Sequence, residues 1–367
     1  MNILLLEPFF SGSHKRWATE LQKFSRHNIT LLTLPGRYWK WRMYGGAVAL
    51  AAEFDKLTEV PDLILATDML DLTTFLTLTR KRTAHIPTAL YFHENQITYP
   101  WSPTDADVKK GRNNQYGFLN YTSALAADAV FFNSYYHKNS FTGALPGFLR
   151  QFPDCRNPEN VQRINDKSQV LPLGLDLKKY AEVADAKHGG APVLLWNHRW
   201  EYDKNPDDFF AALFKLQEEE VDFQLIVTGE NYKSAPPIFA EAQAKLQDKV
   251  LHFGYADSAA AYAALLHRAD ILPVTSRQDF FGGSVVEAIY CNCFPLLPDR
   301  LAYPEHIPAH LHGSHIYKGA PNFYERLKET IENFTAGRIS ADYRHFAARY
   351  DWAECVQSYD TAFAALV

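Results

Sequence analysis

Cysteine is scarce, at four in 367 residues, and Cys155, Cys291, Cys293 and Cys355 are too scattered for a disulfide scaffold. Cys291-Asn292-Cys293 has no second ligand pair at zinc spacing, so these are expected to be core or helix-end thiols. No apolar run approaches the roughly 20 residues that span a bilayer. The opening MNILLLEPFF reads as a short buried strand, without the basic region and cleavage site of a signal peptide. A cytoplasmic protein with no membrane attachment is the expectation. Motifs of several catalytic classes are missing too: there is no G-x-S-x-G elbow, no Walker loop and no G-x-G-x-x-G. The one His-Glu pair, His93-Glu94, lacks the second histidine of a zinc protease. No solenoid-length repeat and no low-complexity segment is visible.

What is present suits two cores. The chain is 47% hydrophobic and 14% aromatic, and its length favours two domains over one. Net charge is −5, unevenly spread. Residues 1–180 carry 21 Lys+Arg against 16 Asp+Glu, and residues 181–367 carry 16 against 26. A basic half joined to an acidic half points to a polyanionic partner meeting the first half; drift in surface charge is the plain alternative.

Strand-like runs at Ile3–Leu6, Ile29–Leu34, Leu63–Ala66, Thr88–Phe92, Ala129–Phe132 and Gln169–Leu173 alternate with helical stretches. After a polar stretch, Lys178–Pro192, the alternation resumes at Val193–Trp196, Phe223–Thr228, Val250–Phe253, Ile271–Val274 and Phe294–Leu297. Such alternation predicts parallel sheets with right-handed crossovers, and hence an α/β protein of two Rossmann-like doubly wound domains. Boundaries are expected at 1–180, 181–340 and 341–367, the last a helix packing back on the first domain. Ligands of such sheets sit at the carboxyl ends of the strands.

The densest signal is Asp279-Phe280-Phe281-Gly282-Gly283-Ser284-Val285-Val286-Glu287, just after the strand-like Ile271–Val274. A strand, a glycine turn and a helix start near Gly283 make an anion site, because first-turn N–H groups lack partners inside the helix. Diphosphate over the N–H groups of Phe281, Gly282, Gly283 and Ser284, with Asp279 and Glu287 on hydroxyls, would suit a nucleotide sugar. A loop acid plus a salt-bridged helix acid is the bland reading. Arg199 and Lys204 follow the first strand of the second half and supply a guanidinium fork and a point charge for phosphate oxygens. Pairing with Glu201 or Asp203 is their alternative.

In the first half, Gly12 and Ser13 in Glu7–His14 allow close approach of backbone to ligand, and Ser13 reads equally as a helix N-cap. His93, Glu94, Asn95 and Gln96 leave a buried strand together, which fits a pocket or else an internally bonded network. Arg37, Trp39, Lys40, Trp41 and Arg42 interleave cations with aromatics, a composition for RNA contact or for aromatic anchors on the protein's own surface. Asp105-Ala106-Asp107 follows no strand and reads as a helix start or solvent loop rather than a metal clamp.

Together these pieces resemble the retaining GT-B glycosyltransferases of the sucrose synthase and bacterial mannosyltransferase type. Arg199, Lys204 and Glu287 match that signature, and Asp279 stands where its first glutamate would be. His93 resembles the family's first-domain histidine that faces the donor sugar. The resemblance implies two facing Rossmann-like domains with the nucleotide-sugar cleft between them, acceptor on the first, and no metal or other cofactor. Longer strings, EPFFSGSHKRWA, LPGRYWKWRMYGGA, YFHENQITYP, FNSYYHKNSF and CNCFPLLPDRLAYPE, are similar to the tRNA-queuosine α-mannosyltransferases. That implies transfer of mannose from GDP-mannose to queuosine at the wobble position of tRNA-Asp, with Glu94, Asn95, Gln96 and the Arg37–Arg42 segment on the tRNA side. A lipid or polysaccharide acceptor, and a non-catalytic nucleotide-sugar or RNA binder, are the competing readings.

Overall fold

The computed structural model describes residues 1–102, 105–181, 190–230, 235–339 and 342–367. They fall into two units, Met1–Leu175 with Trp352–Val367, and Asp176–Asp351. The division lies at 175/176 and 351/352, against the expected 180/181 and 340/341, so the first boundary is five residues earlier and the second eleven residues later. Of the expected linker 178–192, residues 182–189 lie outside the described residues, as does Ala341.

The first unit runs β1 (Asn2–Phe10), α1 (Gly12–Phe24), β2 (Asn28–Pro35), α2 (Trp39–Phe54), β3 (Leu63–Thr67), α3 (Leu72–Thr83) and β4 (Thr88–Phe92). It continues with α4 (Ala106–Lys109), α5 (Asn114–Ala126), β5 (Ala129–Phe132), α6 (Tyr135–Leu149), α7 (Glu159–Asp166) and β6 (Ser168–Val170). All strand pairs are parallel, in the order β2-β1-β3-β4-β5-β6. β3, β4 and β5 are buried from end to end, and their sequences LILAT, TALYF and AVFF have the unbroken apolar character of strands covered on both faces. The strand order reverses between β1 and β3, so a crevice opens at their carboxyl ends.

The second unit runs β7 (Val193–Trp196), α8 (Pro206–Glu218), β8 (Gln224–Thr228), α9 (Ile238–Lys245), β9 (Val250–Gly254), α10 (Ala259–Arg268) and β10 (Ile271–Pro273). Then come α11 (Gly283–Tyr290), β11 (Phe294–Pro298), α12 (His312–His315), β12 (Ile316–Tyr317), α13 (Gly319–Thr335) and α14 (Arg344–Ala348). This sheet is again parallel, in the order β12-β11-β10-β7-β8-β9, and its order reverses between β7 and β10. The two loops that matter here follow β7 and β10. All eleven expected strands are present; β12, two residues long, is the addition, too short to leave a pattern. No helix among the described residues is long and apolar enough to cross a membrane.

The last helix, α15 (Trp352–Ala364), belongs to the first unit. Trp352 donates its Nε1–H to Glu20 Oε2 at 2.8 Å, and Tyr359 bonds Tyr91, Trp17 and the Pro172 carbonyl. Asp360 accepts from Ser25 Oγ at 2.5 Å and from the Arg26 N–H at 3.1 Å, closing the end of α1. Removing a buried acceptor strands its donors, at a cost of about 1–3 kcal/mol. Asp360→Ala is therefore expected to lower stability by about that amount, read as a lower urea midpoint at unchanged slope. An unmoved midpoint would mean that α15 is held by packing alone.

Candidate active site

Both switch points carry clustered polar side chains. In the second unit the loop after β7 begins at Asn197, whose amide donates to the Ser284 carbonyl at 2.7 Å. Next, His198 is 4% exposed and its Nδ1 lies 3.2 Å from Ser284 Oγ. Burial pushes its imidazole down to about 4, so it is neutral at physiological pH. Arg199 is exposed, and its guanidinium lies 3.1 Å from Glu201 Oε2. Lys204, 6% exposed, is bonded on three sides. Its Nζ donates to the Gln278 carbonyl at 2.5 Å and lies 3.2 Å from both Asp203 Oδ2 and Asp279 Oδ1. The acids weighed as bland partners do pair with these cations, but Lys204 also reaches across to the second loop. Pro206 opens α8, as its fixed φ suits.

The loop after β10 presents Asp279. Burial alone would raise its carboxyl; the Lys204 ammonium, His198 and the Tyr303 hydroxyl outweigh that and hold it below the usual carboxylate range. Tyr303 donates to its Oδ2 at 2.5 Å, and the side chain keeps 21% exposure. Phe280 and Phe281 are buried, with the Phe281 carbonyl 2.7 Å from His306 Nε2. Gly282 caps α11 at φ 87°, a conformation side chains avoid, and a Cβ there would lie 3.0 Å from the Tyr303 ring. Val285 and Val286 donate to the Gly282 carbonyl, and among the described residues the N–H groups of Gly283 and Ser284 have no partner. Two orphan N–H groups at a helix start, with Lys204 and Arg199 on the neighbouring loop, make an anion cradle.

Glu287 lies one and a half turns into α11 and is 4% exposed. Its Oε1 accepts from Tyr180 at 3.1 Å and its Oε2 from Tyr262 at 3.0 Å. Neither tyrosine, nor Tyr303, was singled out in the sequence. Tyr303 stands in the string CNCFPLLPDRLAYPE and could have been weighed there; Tyr180 and Tyr262 have no local signature.

The first unit's switch point holds Glu7, His14, Asp68 and His93. His14 Nδ1 lies 3.0 Å from Glu7 Oε2, and both are buried. Its ring stacks on His93 at 4.3 Å between centroids, and Trp17 meets His93 edge-on. The His93 N–H donates to Asp68 Oδ1 at 2.7 Å, while both ring nitrogens lack hydrogen bonds among the described residues. Burial, joined by the His14 cation, pushes His93 far below its ordinary value. One ligand atom each from Glu7, His14 and His93 falls within 4.8 Å of the others. The two rings, however, are stacked with only 30° between their planes, a poor arrangement for in-plane lone pairs to meet at one ion, and His14 already bonds Glu7. The trio is an ion pair laid against a neutral ring.

Other expectations divide. Gly12 and Ser13 are exposed; α1 begins at Gly12 behind Ser11, so Ser13 is inside the first turn and is not the N-cap. Glu94 Oε1 accepts from Gln96 Nε2 at 2.7 Å, and Gln96 N–H donates to Asn120. Asn95 is fully buried, its Oδ1 accepting from Ile97, Thr98 N–H and Thr98 Oγ1. That is the internally bonded network, and the acceptor-facing expectation for Asn95 is revised accordingly. Lys40 is revised too: its Nζ lies 2.6 Å from both Asp105 Oδ1 and Asp107 Oδ2. Trp39 packs against Trp101 and Tyr116 beside it. Arg37 and Trp41 are exposed, while Arg42 Nε donates to the Pro35 carbonyl.

The Glu7–His14 pair has a pH signature. Burial opposes the imidazolium, but Glu7 outweighs it and raises His14 to about 9 from 6.5. A group raised on folding stabilises fully below its unfolded value, and that stability fades as pH rises through the folded value. Asp68, pushed up to about 7 by burial, acts in the same direction over a lower window, and Glu94 and His93 complete the facing groups. Between pH 6.5 and 9 the Tm is expected to fall by roughly 5 °C, and His14→Gln is expected to flatten most of that decline. Equal slopes in the two proteins would refute a charged His14.

Residues 2–175 match the family model described as tRNA-queuosine alpha-mannosyltransferase N-terminal, and residues 181–347 match glycosyl transferases group 1. The curated tRNA-queuosine alpha-mannosyltransferase of Drosophila melanogaster is 34% identical over 316 residues, covering 84% of this chain and 82% of that one. Among solved structures, a sucrose-phosphate synthase from Thermosynechococcus elongatus superposes with a TM-score of 0.71 at 15% identity, each chain covered completely. Anabaena HepE in complex with UDP gives 0.66 at 16% identity, again over both whole chains. These establish the GT-B fold, in keeping with the two doubly wound sheets. On the sequence matches, the chain is a glycosyltransferase and belongs to the tRNA-queuosine α-mannosyltransferase family.

Proposed function

We propose that this chain transfers mannose from GDP-mannose to queuosine at the wobble position of tRNA-Asp, with retention of configuration, in the cytoplasm. The observation that supports the donor half is the β7/β10 switch point, where Arg199 and Lys204 stand on the loop after β7 and the N–H groups of Gly283 and Ser284, without partners among the described residues, open the helix after β10. The Drosophila relative's name, tRNA-queuosine alpha-mannosyltransferase, supports the sugar and the acceptor.

In this reading the bond from the sugar's anomeric carbon to the diphosphate breaks. Negative charge then grows on the leaving oxygen, where preorganised cations and N–H groups act most strongly. The acceptor hydroxyl attacks from the leaving-group face and hands its proton to the departing diphosphate. Asp279, held ionised, takes mannose hydroxyls. Glu287, fixed by Tyr180 and Tyr262, takes the ribose. His93, neutral and with neither ring nitrogen hydrogen-bonded among the described residues, is the first unit's side chain for the sugar. Within the second unit, Phe281 and Gly282 flank the donor diphosphate. Cations supplied by the chain at the diphosphate make a metal unnecessary.

Incubation with GDP-mannose and queuosine-containing tRNA should add one hexose mass to queuosine, undiminished by EDTA. No increment would sink the acceptor assignment, and loss with EDTA would sink the metal-free one. Removal of one such charge stabiliser typically costs about 10²–10³ in turnover. Arg199→Ala is expected to lower kcat on that scale while tRNA affinity holds; unchanged turnover would remove Arg199 from the diphosphate.

A further inference from the structure

The segment Arg37–Arg42 does not act as one block. Lys40 and Trp39 turn inward, into a box formed with Trp101 and Tyr116, whose rings lie 5.4 Å and 5.8 Å from Lys40 Nζ. Two carboxylates, each 2.6 Å from that ammonium, tie it to the segment that follows Trp101. The same ion pairs pin the segment 105–112 beside the start of α2. There Asp105 caps α4, and the N–H groups of Lys110 and Arg112 donate to the Asp107 carbonyl. This compact turn exposes Lys109, Lys110 and Arg112.

Next to Arg37, at the start of α2, stand two bare aromatics. Among the described residues Tyr38, 78% exposed, is the most exposed tyrosine, and Trp41, 63% exposed, the most exposed tryptophan. Tyr38 has φ 52°, where a bulky side chain is uncommon, and this conformation turns the chain into α2. Trp41 lies flat across Gly45: a Cβ there would sit 2.5 Å from the indole Cε2 and Cζ2. One ring face is thus laid on the helix and the other is left to solvent. Exposed aromatic faces beside exposed cations are costly on a monomer surface and suit one chemistry closely. Unpaired bases stack on the rings while their phosphates meet the cations.

We propose that Tyr38 and Trp41 are stacking platforms for unpaired nucleotides of an RNA loop, whose backbone is held by Arg37, Lys109, Lys110 and Arg112. This rests on the tRNA reading above and adds to it the surface that holds the loop. Lys40 is a positioning residue here, acting through Asp105 and Asp107. Duplex RNA, with its bases stacked inside, gains nothing from the platforms.

The test uses the full-length protein with two fluorescent probes, a queuosine-containing anticodon stem–loop RNA and the same strand annealed to its complement. Stacking of one base is worth about 1–3 kcal/mol, which converts to roughly 5- to 150-fold in affinity. Trp41→Ala and Tyr38→Asn, the latter a side chain that tolerates positive φ, should each weaken stem–loop binding about tenfold. Neither should change the salt slope or the KM for GDP-mannose. Gly45→Ala should reproduce the Trp41 loss by lifting the ring. Replacing Lys109 and Lys110 together by Ala should instead flatten the salt slope by about 1.4, as two phosphate contacts require. Duplex bound as tightly as stem–loop, or aromatic variants binding like wild type, would overturn the platforms. If wild type still mannosylates queuosine tRNA in that event, the proposed function stands without them. If wild type transfers no mannose yet loses stem–loop binding with Trp41, the function fails and the platforms remain.

Discussion

One ion pair organises the donor-side crevice. An ammonium 6% exposed is tolerable only with close counter-charges and filled hydrogen bonds, and Lys204 finds Asp203, Asp279 and the Gln278 carbonyl. Asp203 comes from its own loop and Asp279 from the loop after β10, so the ammonium ties together the two sides of the switch point. The carboxylates are not equivalent. Asp203 has 3% side-chain exposure and faces the ammonium with its carboxylate, while its backbone carbonyl accepts from the Arg277 N–H at 2.8 Å. Asp279 has 21% exposure and a tyrosine donor. The buried acid neutralises, and the more open one is available to a ligand.

The sheet architecture was legible because parallel strands buried on both faces write continuous apolar runs, and these alternate with helices of ordinary length. Motifs immediately after strands were legible too: Arg199, Lys204, Asp279 and the Gly282 turn all follow β7 or β10. What stayed hidden were partners brought from far along the chain. Tyr180 and Tyr262 converge on Glu287 from 107 and 25 residues away, and Tyr303 reaches Asp279 from 24. Tyrosine is common in cores, so its hydroxyl's target can be known only once the backbone is in place. The Lys40 clamp was hidden for the same reason. Lys40 reads as a surface cation and Asp105-Ala106-Asp107 as a loop, and only folding sets them 2.6 Å apart.

The charge asymmetry of the sequence takes a definite form in the first unit. Its cations are not interchangeable: Arg82 donates to the Phe54 and Leu57 carbonyls, Lys167 to Leu125, and Lys40 is matched by two acids. These act on the protein itself and subtract from the charge presented outward. What remains exposed around the start of α2 is concentrated on one turn and one helix entrance, which is why local placement, rather than the net +5, bears on what the surface meets.

Aspartate in place of the family's usual first glutamate becomes intelligible at atomic scale. A carboxylate at 279 must satisfy Lys204 with one oxygen and Tyr303 with the other, at 3.2 Å and 2.5 Å. Phe280 and Phe281, which follow it, are buried, and the Tyr303 ring lies 3.0 Å from where a Gly282 Cβ would be. One more methylene would push the carboxylate into a ring and an ammonium that are themselves fixed, and packed sites accommodate such an insertion poorly. The shorter acid therefore does not leave a void. Tyr303 and Lys204 come to it, so the loss of reach from the backbone is made up by partners that lock its position and keep it charged.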